Sequence, residues 1–208
     1  GFTSAGWLRH EGLLTVDETT LGTTVSGKLV GFILGDPSYG ADGPGSFVHS
    51  YTLGVPSPGA SAGVIDTLTG EPVLVRMNGD VLEGYTETTN LLVFSLSVDA
   101  NDATLSLTQY RAMVHPDPID HNDLVTLSPD AVTLTFAESA TDGDGDSITE
   151  LFTMAIGDEL GFRDDGPSIA FGPSGAQVNL TVDETALGTS ATADFSVVYS
   201  TNLTLGND

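Results

Sequence analysis

One ten-residue motif occurs twice in the chain, and this internal repeat constrains the fold more than any other feature of the sequence. Residues 14–23 read LTVDETTLGT and residues 180–189 read LTVDETALGT, so nine of ten positions are identical. Self-similarity at a fixed spacing is the signature of proteins built from tandem repeats. The two copies begin 166 residues apart, at Leu14 and Leu180, which predicts a structural unit of that size.

The spacing of the two copies also predicts the domain organisation. Residues 1–13 precede the first copy and stay unassigned, and residues 14–168 form one complete repeat. Residues 169–208 hold a linker and the incomplete start of a next repeat. A tandem array explains this arrangement better than a self-contained enzyme does, so we expect neighbouring repeats of the same chain as partners.

Segments with the period of β-strands fill the first repeat. Leu91–Val98 and Ala131–Phe136 alternate apolar with Ser or Thr side chains, as strands with one solvated face do. Leu29–Leu34 is rich in β-branched and other strand-forming residues. Further predicted strands are Phe47–Leu53, Val73–Met77, Ala103–Leu107 and Ile148–Ile156.

Turn signals separate these strands, and no segment has a convincing helical period. Asn78-Gly79, between two apolar segments, favours a β-hairpin with a type I′ turn. Gln109–Val114 allows at most one helical turn. The sequence therefore predicts an all-β fold: an antiparallel β-sandwich of Greek-key or Ig-like type with long loops.

The charge of the chain is strongly negative. Asp and Glu number 29 against 5 Lys and Arg, a formal net charge of −24. Such a surface repels nucleic acids and anionic membranes, and its self-repulsion is relieved locally by bound divalent cations. A solvated surface on a secreted or halophilic protein is the alternative interpretation. The chain has no cysteine for disulfides, and it has neither an apolar run of membrane-spanning length nor a signal-peptide pattern. We expect no membrane insertion, and a secretion signal elsewhere in a longer chain.

The acidic segment Asp142-Gly-Asp-Gly-Asp-Ser is the first candidate metal site. Asp142, Asp144 and Asp146 stand at alternate positions separated by glycines, which permit tight turns. Calcium takes six to eight oxygen ligands, and alternate carboxylates on a curved backbone converge on one ion. The match to an EF-hand loop is partial, because Ser147 replaces the glycine and Thr153 the glutamate of that motif. The alternative is a polar hairpin turn.

Two further candidate calcium sites lie at predicted junctions between repeats. Asp-Asp-Gly-Pro at residues 164–167 has the composition of a linker and precedes the second copy of the motif. Carboxylates from both sides of such a linker can share an ion and fix the angle between repeats. The predicted ligands are Asp164, Asp165, Asp183 and Glu184 at this junction, and Asp17 and Glu18 at an equivalent junction with a preceding repeat. The alternative is a strand-end turn with solvated acids.

Other chemistry-bearing residues give weaker signals. His115–Asp123 holds two histidines and three aspartates, ligand types that zinc accepts, but two prolines and irregular spacing favour an exposed loop. No nucleophile elbow occurs, and no carboxylate pair is singled out for glycoside hydrolysis. We therefore expect no catalytic residues.

Five motifs in order resemble the long repeats of type I-secreted RTX adhesins, the giant Gram-negative attachment and biofilm proteins. They are LTVDETTLGT, YGADGPGS (39–46), IDTLTGEPV (65–73), ATDGDGDS (140–147) and FRDDGPSI (162–169). The resemblance extends over nearly the whole chain from Leu14 onward. It implies β-sandwich modules strung end to end, rigidified by calcium and displayed on the bacterial cell surface.

The resemblance leaves two functions open for this module. It is either a calcium-stiffened extender that supports cell or surface adhesion, or a calcium-dependent ligand-binding domain for a peptide or glycan. The recurrence of the motif favours extension. The long loops Gly35–Ser46, Gly54–Gly63 and His115–Asp123 favour ligand binding, because binding sites are usually carried on long ordered loops. A glycoside-active enzyme is the remote alternative.

Overall fold

The computed structural model describes residues 7–9, 13–28, 30–32 and 38–206. The chain forms two compact units, a first that ends at Asp165 and a second that spans Gly166–Gly206. The second unit thus begins three residues before the predicted boundary at residue 169.

The regular structure of the described residues consists of strands and short 3-10 turns. The strands are β1 (Trp7–Arg9), β2 (Leu14–Asp17), β3 (Thr24–Gly27), β4 (Val30–Phe32), β5 (Pro44–Gly54), β6 (Ala60–Ile65), β7 (Pro72–Asn78), β8 (Val81–Thr86), β9 (Leu92–Val98), β10 (Leu105–Gln109), β11 (Leu124–Thr126), β12 (Thr133–Asp142), β13 (Ser147–Ala155), β14 (Leu160–Arg163), β15 (Ser168–Pro173) and β16 (Tyr199–Thr204). The 3-10 turns are Glu18–Thr20, Pro129–Ala131, Gly157–Glu159, Glu184–Ala186 and Ser196–Val198. No helix in this part of the chain is long and apolar enough to cross a membrane.

The prediction of an all-β antiparallel sandwich is confirmed. A six-stranded sheet has the order β3-β10-β9-β8-β7-β6, and three-stranded sheets have the orders β11-β14-β2 and β13-β12-β5. β1 pairs with β4. Strands β6 to β10 form a plain meander, whereas the pairs β3–β10, β5–β12 and β2–β14 join strands that are distant in the chain. One pair departs from the antiparallel rule, since β14 and β2 run parallel.

The core of the first unit lies between the six-stranded sheet and the two smaller sheets. Buried side chains come from all three, among them Leu96 of the large sheet, Phe136 of β12 and Val16 of β2. The rings of Phe94 and Phe162 lie 5.4 Å apart and join β9 to β14. Along β12, the alternation of apolar and polar residues in the sequence corresponds to an alternation of buried and half-buried side chains.

Six of the seven predicted strand segments correspond to observed strands, with shifted ends. The seventh, Leu29–Leu34, contains β4, and its remaining residues lie outside the described part of the chain. The predicted hairpin forms between β7 and β8, with Asn78 paired to Val81 across a two-residue loop. Its turn is not type I′, which needs positive φ at both central residues, because only Gly79 has one (φ 62°).

The second unit is a hairpin of β15 and β16, paired from Ser168–Thr204 to Pro173–Tyr199, with a long connection between the strands. Most of its apolar side chains are exposed. The second copy of the repeated motif lies in this connection.

A substitution at Gly84 of β8 provides a test of the packing of the first unit. It pairs with Phe94 on β9, and a Cβ atom at this position would overlap the Phe94 ring. We expect Gly84→Ala to destabilise the first unit by about 1–3 kcal/mol, the usual cost of overpacking. Denaturant unfolding measures this loss. Gly172→Ala in β15, where no atom lies within 4 Å of the added Cβ, is the control. An unchanged midpoint for Gly84→Ala would contradict the packing described here.

Candidate metal sites

Two glycine-containing acidic loops meet at one end of the β5–β12–β13 sheet. The register of β12 on β5 shifts between Thr141 and Asp142, so that Asp142 lies opposite Pro44. The backbone N–H of Gly143 donates to the carbonyl oxygen of Gly43 at 3.0 Å. A Cβ on Gly143 would overlap the backbone carbonyl of Asp42, so glycine is required for the loops to approach this closely.

The contact between the loops brings three carboxylates together. Asp42, Asp142 and Asp144 each place a carboxylate oxygen within 4.8 Å of the other two. Oδ1 of Asp142 accepts hydrogen bonds from the backbone N–H groups of Gly145 (3.1 Å) and Asp146 (2.8 Å). These bonds hold the Asp142 carboxylate in its orientation.

Hydrogen bonds within and around this trio affect the ionisation of Asp142. The pKa of Asp142 lies below its ordinary value, because the Asp144 side chain and nearby backbone N–H groups hydrogen-bond to it. A contact of this kind between two carboxyl groups needs either a proton on one of them or a cation between them. All the side-chain donors here are oxygens, the ligand type of hard cations such as calcium.

The structure brings a residue to the predicted site that the sequence did not indicate. Asp142 and Asp144 lie together, and the third carboxylate grouped with them is that of Asp42. Asp42 lies one hundred positions earlier in the chain, and spacing along the sequence does not reveal such a contact. The sequence does hold one signal for this contact: Asp42-Gly43 repeats the Asp-Gly pattern of the loop between β12 and β13. Calcium ligation by Asp142, Asp144 and Asp146 stays a prediction.

A second cluster forms where β2 and β14 end side by side. The parallel register pairs Asp17 with Arg163, so Glu18 and Asp164 follow at the same end of the sheet. Asp164 is held there by its backbone N–H, which donates to the carbonyl oxygen of Asp123 at 3.0 Å. Ligand atoms of Glu18, His115 and Asp164 lie within 4.8 Å of one another.

Glu18 is fully buried at the centre of this second cluster. Its Oε1 atom accepts hydrogen bonds from Nε2 of Gln109 and the backbone N–H of Met113, both at 2.8 Å. Nε2 of His115 lies 3.4 Å from the same oxygen. The carboxylate thus links the 3-10 turn after β2 to the end of β10 and the residues after it, more than ninety positions later in the chain.

The pKa of His115 is raised above its ordinary value. Burial by itself would lower it, but the hydrogen bond and charge of Glu18, with the charges of Asp164 and Asp123, outweigh burial. His115 is therefore predisposed to form an ion pair with Glu18. One nitrogen and two carboxylates are also ligands that zinc accepts, whereas calcium takes oxygen. Calcium ligation by Glu18 and Asp164 stays a prediction.

The other predicted ligands have local structural partners. Oδ1 of Asp17 accepts from the backbone N–H of Thr19 at 2.9 Å and caps the 3-10 turn. Asp165 is buried, and its backbone N–H donates to Oδ1 of Asp164 at 2.9 Å. In the second unit Asp183 caps its own 3-10 turn through Thr185, and Glu184 is exposed. Calcium ligation by Asp17, Asp165, Asp183 and Glu184 likewise stays a prediction.

One buried ion pair was missed by reasoning from the sequence. Asp66 is fully buried and accepts two hydrogen bonds from Arg111, at 2.7 and 3.0 Å. Burial would raise the pKa of Asp66, but the bonds from Arg111 and Thr69 hold it below its ordinary value. This pair gives the aspartate of the IDTLTGEPV motif a structural role.

Comparison with known proteins identifies one family. The sequence model of a domain of unknown function, DUF5801, matches residues 13–155, well over half of the chain. The match includes both acidic loops as well as Glu18 and His115, and ends before Asp164. Neither the curated proteins nor the solved structures include a match.

The ion pair of His115 predicts a pH-dependent contribution to stability. Because its pKa is raised on folding, the stabilisation is fully present below about pH 6.5, the ordinary value for histidine, and is lost as the pH rises through the raised pKa. Urea unfolding in chelator should therefore show a larger loss for His115→Gln at pH 6 than at pH 9. His121→Gln, at an exposed position, is the control. A loss that is equal at both pH values would contradict the ion pair.

Proposed function

The chain belongs to the DUF5801 family, and we propose that it is a non-enzymatic, calcium-binding module of an extracellular RTX adhesin, acting as a calcium-rigidified extender. The observation that carries the proposal is the convergence of Asp42, Asp142 and Asp144 from two separate loops. Neighbouring repeats of the same chain are its proposed partners.

An ion bound where the two loops converge would stabilise the fold. One loop precedes β5 and the other joins β12 to β13, so an ion held between them links strands from distant parts of the chain. The three carboxyl groups have oxygens within 4.8 Å of one another, and a divalent cation would offset the repulsion between ionised carboxylates this close together. Calcium takes six to eight oxygen ligands, so backbone carbonyl oxygens or water would have to supply those that the three side chains do not.

The magnitude of the expected stabilisation fits an extracellular module. Such modules bind calcium with Kd of about 10⁻⁴–10⁻³ M. At free calcium a hundredfold above Kd, one site that exists only in the folded state adds about 2.7 kcal/mol. A protein of this size gains about 2–4 °C in Tm for each kcal/mol. Free calcium well above this Kd would therefore stabilise this end of the module, and free calcium far below it would not.

Three further observations support display outside the cell. The five motifs resemble RTX adhesin repeats, the net charge of −24 suits a surface that binds divalent ions, and the repeated motif suits a tandem array. A chain without cysteine has no disulfides to stabilise it, so bound calcium would take that role.

A second candidate function is calcium-dependent binding of a peptide or glycan. A groove of about 170 Å³ adjoins the acidic loops and is lined by Tyr39, Asp142, Asp146 and Ile148. The adjoining strand β13 is the outer strand of its sheet, and Ile148 is half exposed. Tyr39 supplies an aromatic face and Asp146 a carboxylate, which together suit a polar ligand held beside the ion. Tyr39→Ala should abolish ligand capture while leaving the calcium response intact.

Calcium should raise the Tm of the protein by about 5–10 °C over its value in chelator, from the magnitudes above. We expect Asp144→Ala to remove most of this rise and to change the Tm in chelator little. Asp80→Ala, at an exposed turn far along the chain from both loops, should keep the full rise. Differential scanning calorimetry across a calcium titration, with magnesium in parallel, makes the comparison. Equal rises for all three proteins would mean that the trio does not bind the ion.

The geometry of the trio leads to a prediction about calcium affinity that differs from the one based on sequence alone. Asp42→Ala should weaken calcium binding as much as Asp144→Ala does, whereas Asp146→Ala should weaken it less, because Asp146 is not a member of the trio. Isothermal titration calorimetry gives the three affinities. A stronger effect of Asp146→Ala than of Asp42→Ala would favour a site formed by the β12–β13 loop alone.

A further inference from the structure

His115 belongs to the loop between β10 and β11, yet its side chain is only 5% exposed, whereas His121 in the same loop is exposed. Nε2 of His115 lies 3.4 Å from Oε1 of Glu18, longer than the charge-assisted hydrogen bonds of about 2.7–2.9 Å found in proteins. Nδ1 is buried and has no hydrogen-bond partner among the described residues. Buried polar atoms are nearly always hydrogen-bonded, so a buried ring with two poorly satisfied nitrogens points to a ligand.

The distance between His115 and Glu18 matches the spacing of two ligands on one tetrahedral metal ion. Zn–N and Zn–O bonds are about 2.0–2.2 Å long, so two such ligands lie about 3.3–3.5 Å apart at the tetrahedral angle. Asp164 supplies a third ligand atom, and all three atoms lie within 4.8 Å of one another. Rotation of the half-buried Asp164 side chain would bring its oxygen to the same spacing.

Hydrogen bonds already orient both carboxylates of this cluster. Oε1 of Glu18 accepts from Nε2 of Gln109 and from the backbone N–H of Met113, both at 2.8 Å. Oδ1 of Asp164 accepts from the backbone N–H of Asp165 at 2.9 Å. Partners of this kind hold metal ligands in place, and losing one typically weakens metal binding by about 10–100-fold. The protein therefore supplies the ligands together with the groups that position them.

The composition and burial of the cluster favour a transition metal over calcium. Calcium takes six to eight oxygen ligands, whereas zinc is held by four ligands and accepts an imidazole nitrogen. Glu18 is fully buried and His115 nearly so, which leaves little space for the several waters that calcium would need here. The trio at the acidic loops offers only carboxylate oxygens, so the two clusters differ in the metal that they suit.

We propose that Glu18, His115 and Asp164 bind one transition-metal ion of the zinc type, through a ring nitrogen of His115 and one carboxylate oxygen from each acid. The ligands come from the 3-10 turn after β2, the β10–β11 loop and the end of β14, so the ion joins three distant segments. Three protein ligands leave the fourth position to water. The site is independent of calcium at the trio and goes beyond the adhesin function proposed for the chain.

Isothermal titration calorimetry of the full chain with zinc chloride, at about pH 8 because the ligands must be deprotonated, tests this site. We expect the wild type to bind one zinc ion and His115→Gln to bind it at least about tenfold more weakly. Asp164→Asn, which keeps an acceptor for the N–H of Asp165, should weaken binding as well. The matched control is His121→Gln, at an exposed position of the same loop, which should keep the full affinity.

A variant of the trio separates the two clusters in the same titration. Zinc that is lost with Asp144→Ala, and retained with His115→Gln, would place the ion at the trio and overturn the proposal. No binding by the wild type, or equal affinities in the wild type, His115→Gln and Asp164→Asn, would also overturn it. None of these results bears on calcium at the trio, which the calcium titrations measure separately.

Divalent cobalt gives a second, spectroscopic measurement of the same site. It occupies the same kinds of nitrogen and oxygen site as zinc, and its visible absorption is much stronger when the ion is four-coordinate. We expect strong absorption from the wild type and His121→Gln that is lost in His115→Gln and unchanged by excess calcium. Circular dichroism verifies that each variant is folded, and Asp164→Asn decides if His115→Gln is not. Displacement of cobalt by calcium would assign the cluster to calcium and contradict the proposal.

Discussion

Burial of the Glu18 carboxylate is the interaction on which the architecture of the first unit depends. An ionised carboxylate is costly to bury unless it is hydrogen-bonded, and here donors from Gln109, Met113 and His115 surround one of its oxygens. These donors come from the end of β10 and the segment after it, whereas Glu18 follows β2. Satisfying the one carboxylate therefore fixes the large sheet, the parallel β2–β14 pair and the loop that carries His115 with respect to one another.

The acidic loops at the β5–β12 end differ from Glu18 in exposure and in their partners. Asp42 and Asp144 are exposed, and no basic side chain is paired with the trio among the described salt bridges. Repulsion among ionised carboxylates opposes the close approach of the loops, while the absence of a Cβ on Gly143 makes that approach sterically possible. A bound cation would reverse the sign of this electrostatic contribution. The hydrogen bonds to Glu18 are thus supplied by the protein itself, whereas the trio is the cluster that we propose to depend on a cation from solution.

The parts of this structure that could be predicted are those that local sequence determines. Alternation along residues 131–136 predicts β12, and the Asn78-Gly79 step predicts the hairpin, although the turn type was wrong. Contacts between distant residues leave no such signal, so the approach of Asp42 to Asp142 and the pairing of Asp66 with Arg111 were missed. The clustering of Glu18 with His115 was missed for the same reason, since it needs the β2–β14 register, which depends on the whole fold.

The repeated motif separates local from tertiary effects within a single chain. Asp17 and Asp183 cap the same 3-10 turn, so the ten residues determine their own backbone shape wherever they occur. The ten residues do not determine whether the glutamate directly after the capping aspartate is buried, because Glu18 is buried and Glu184 is exposed. The motif therefore encodes a preformed strand and turn, and the rest of the first repeat supplies β14 and the donors on Gln109 and Met113 that bury it in the first unit.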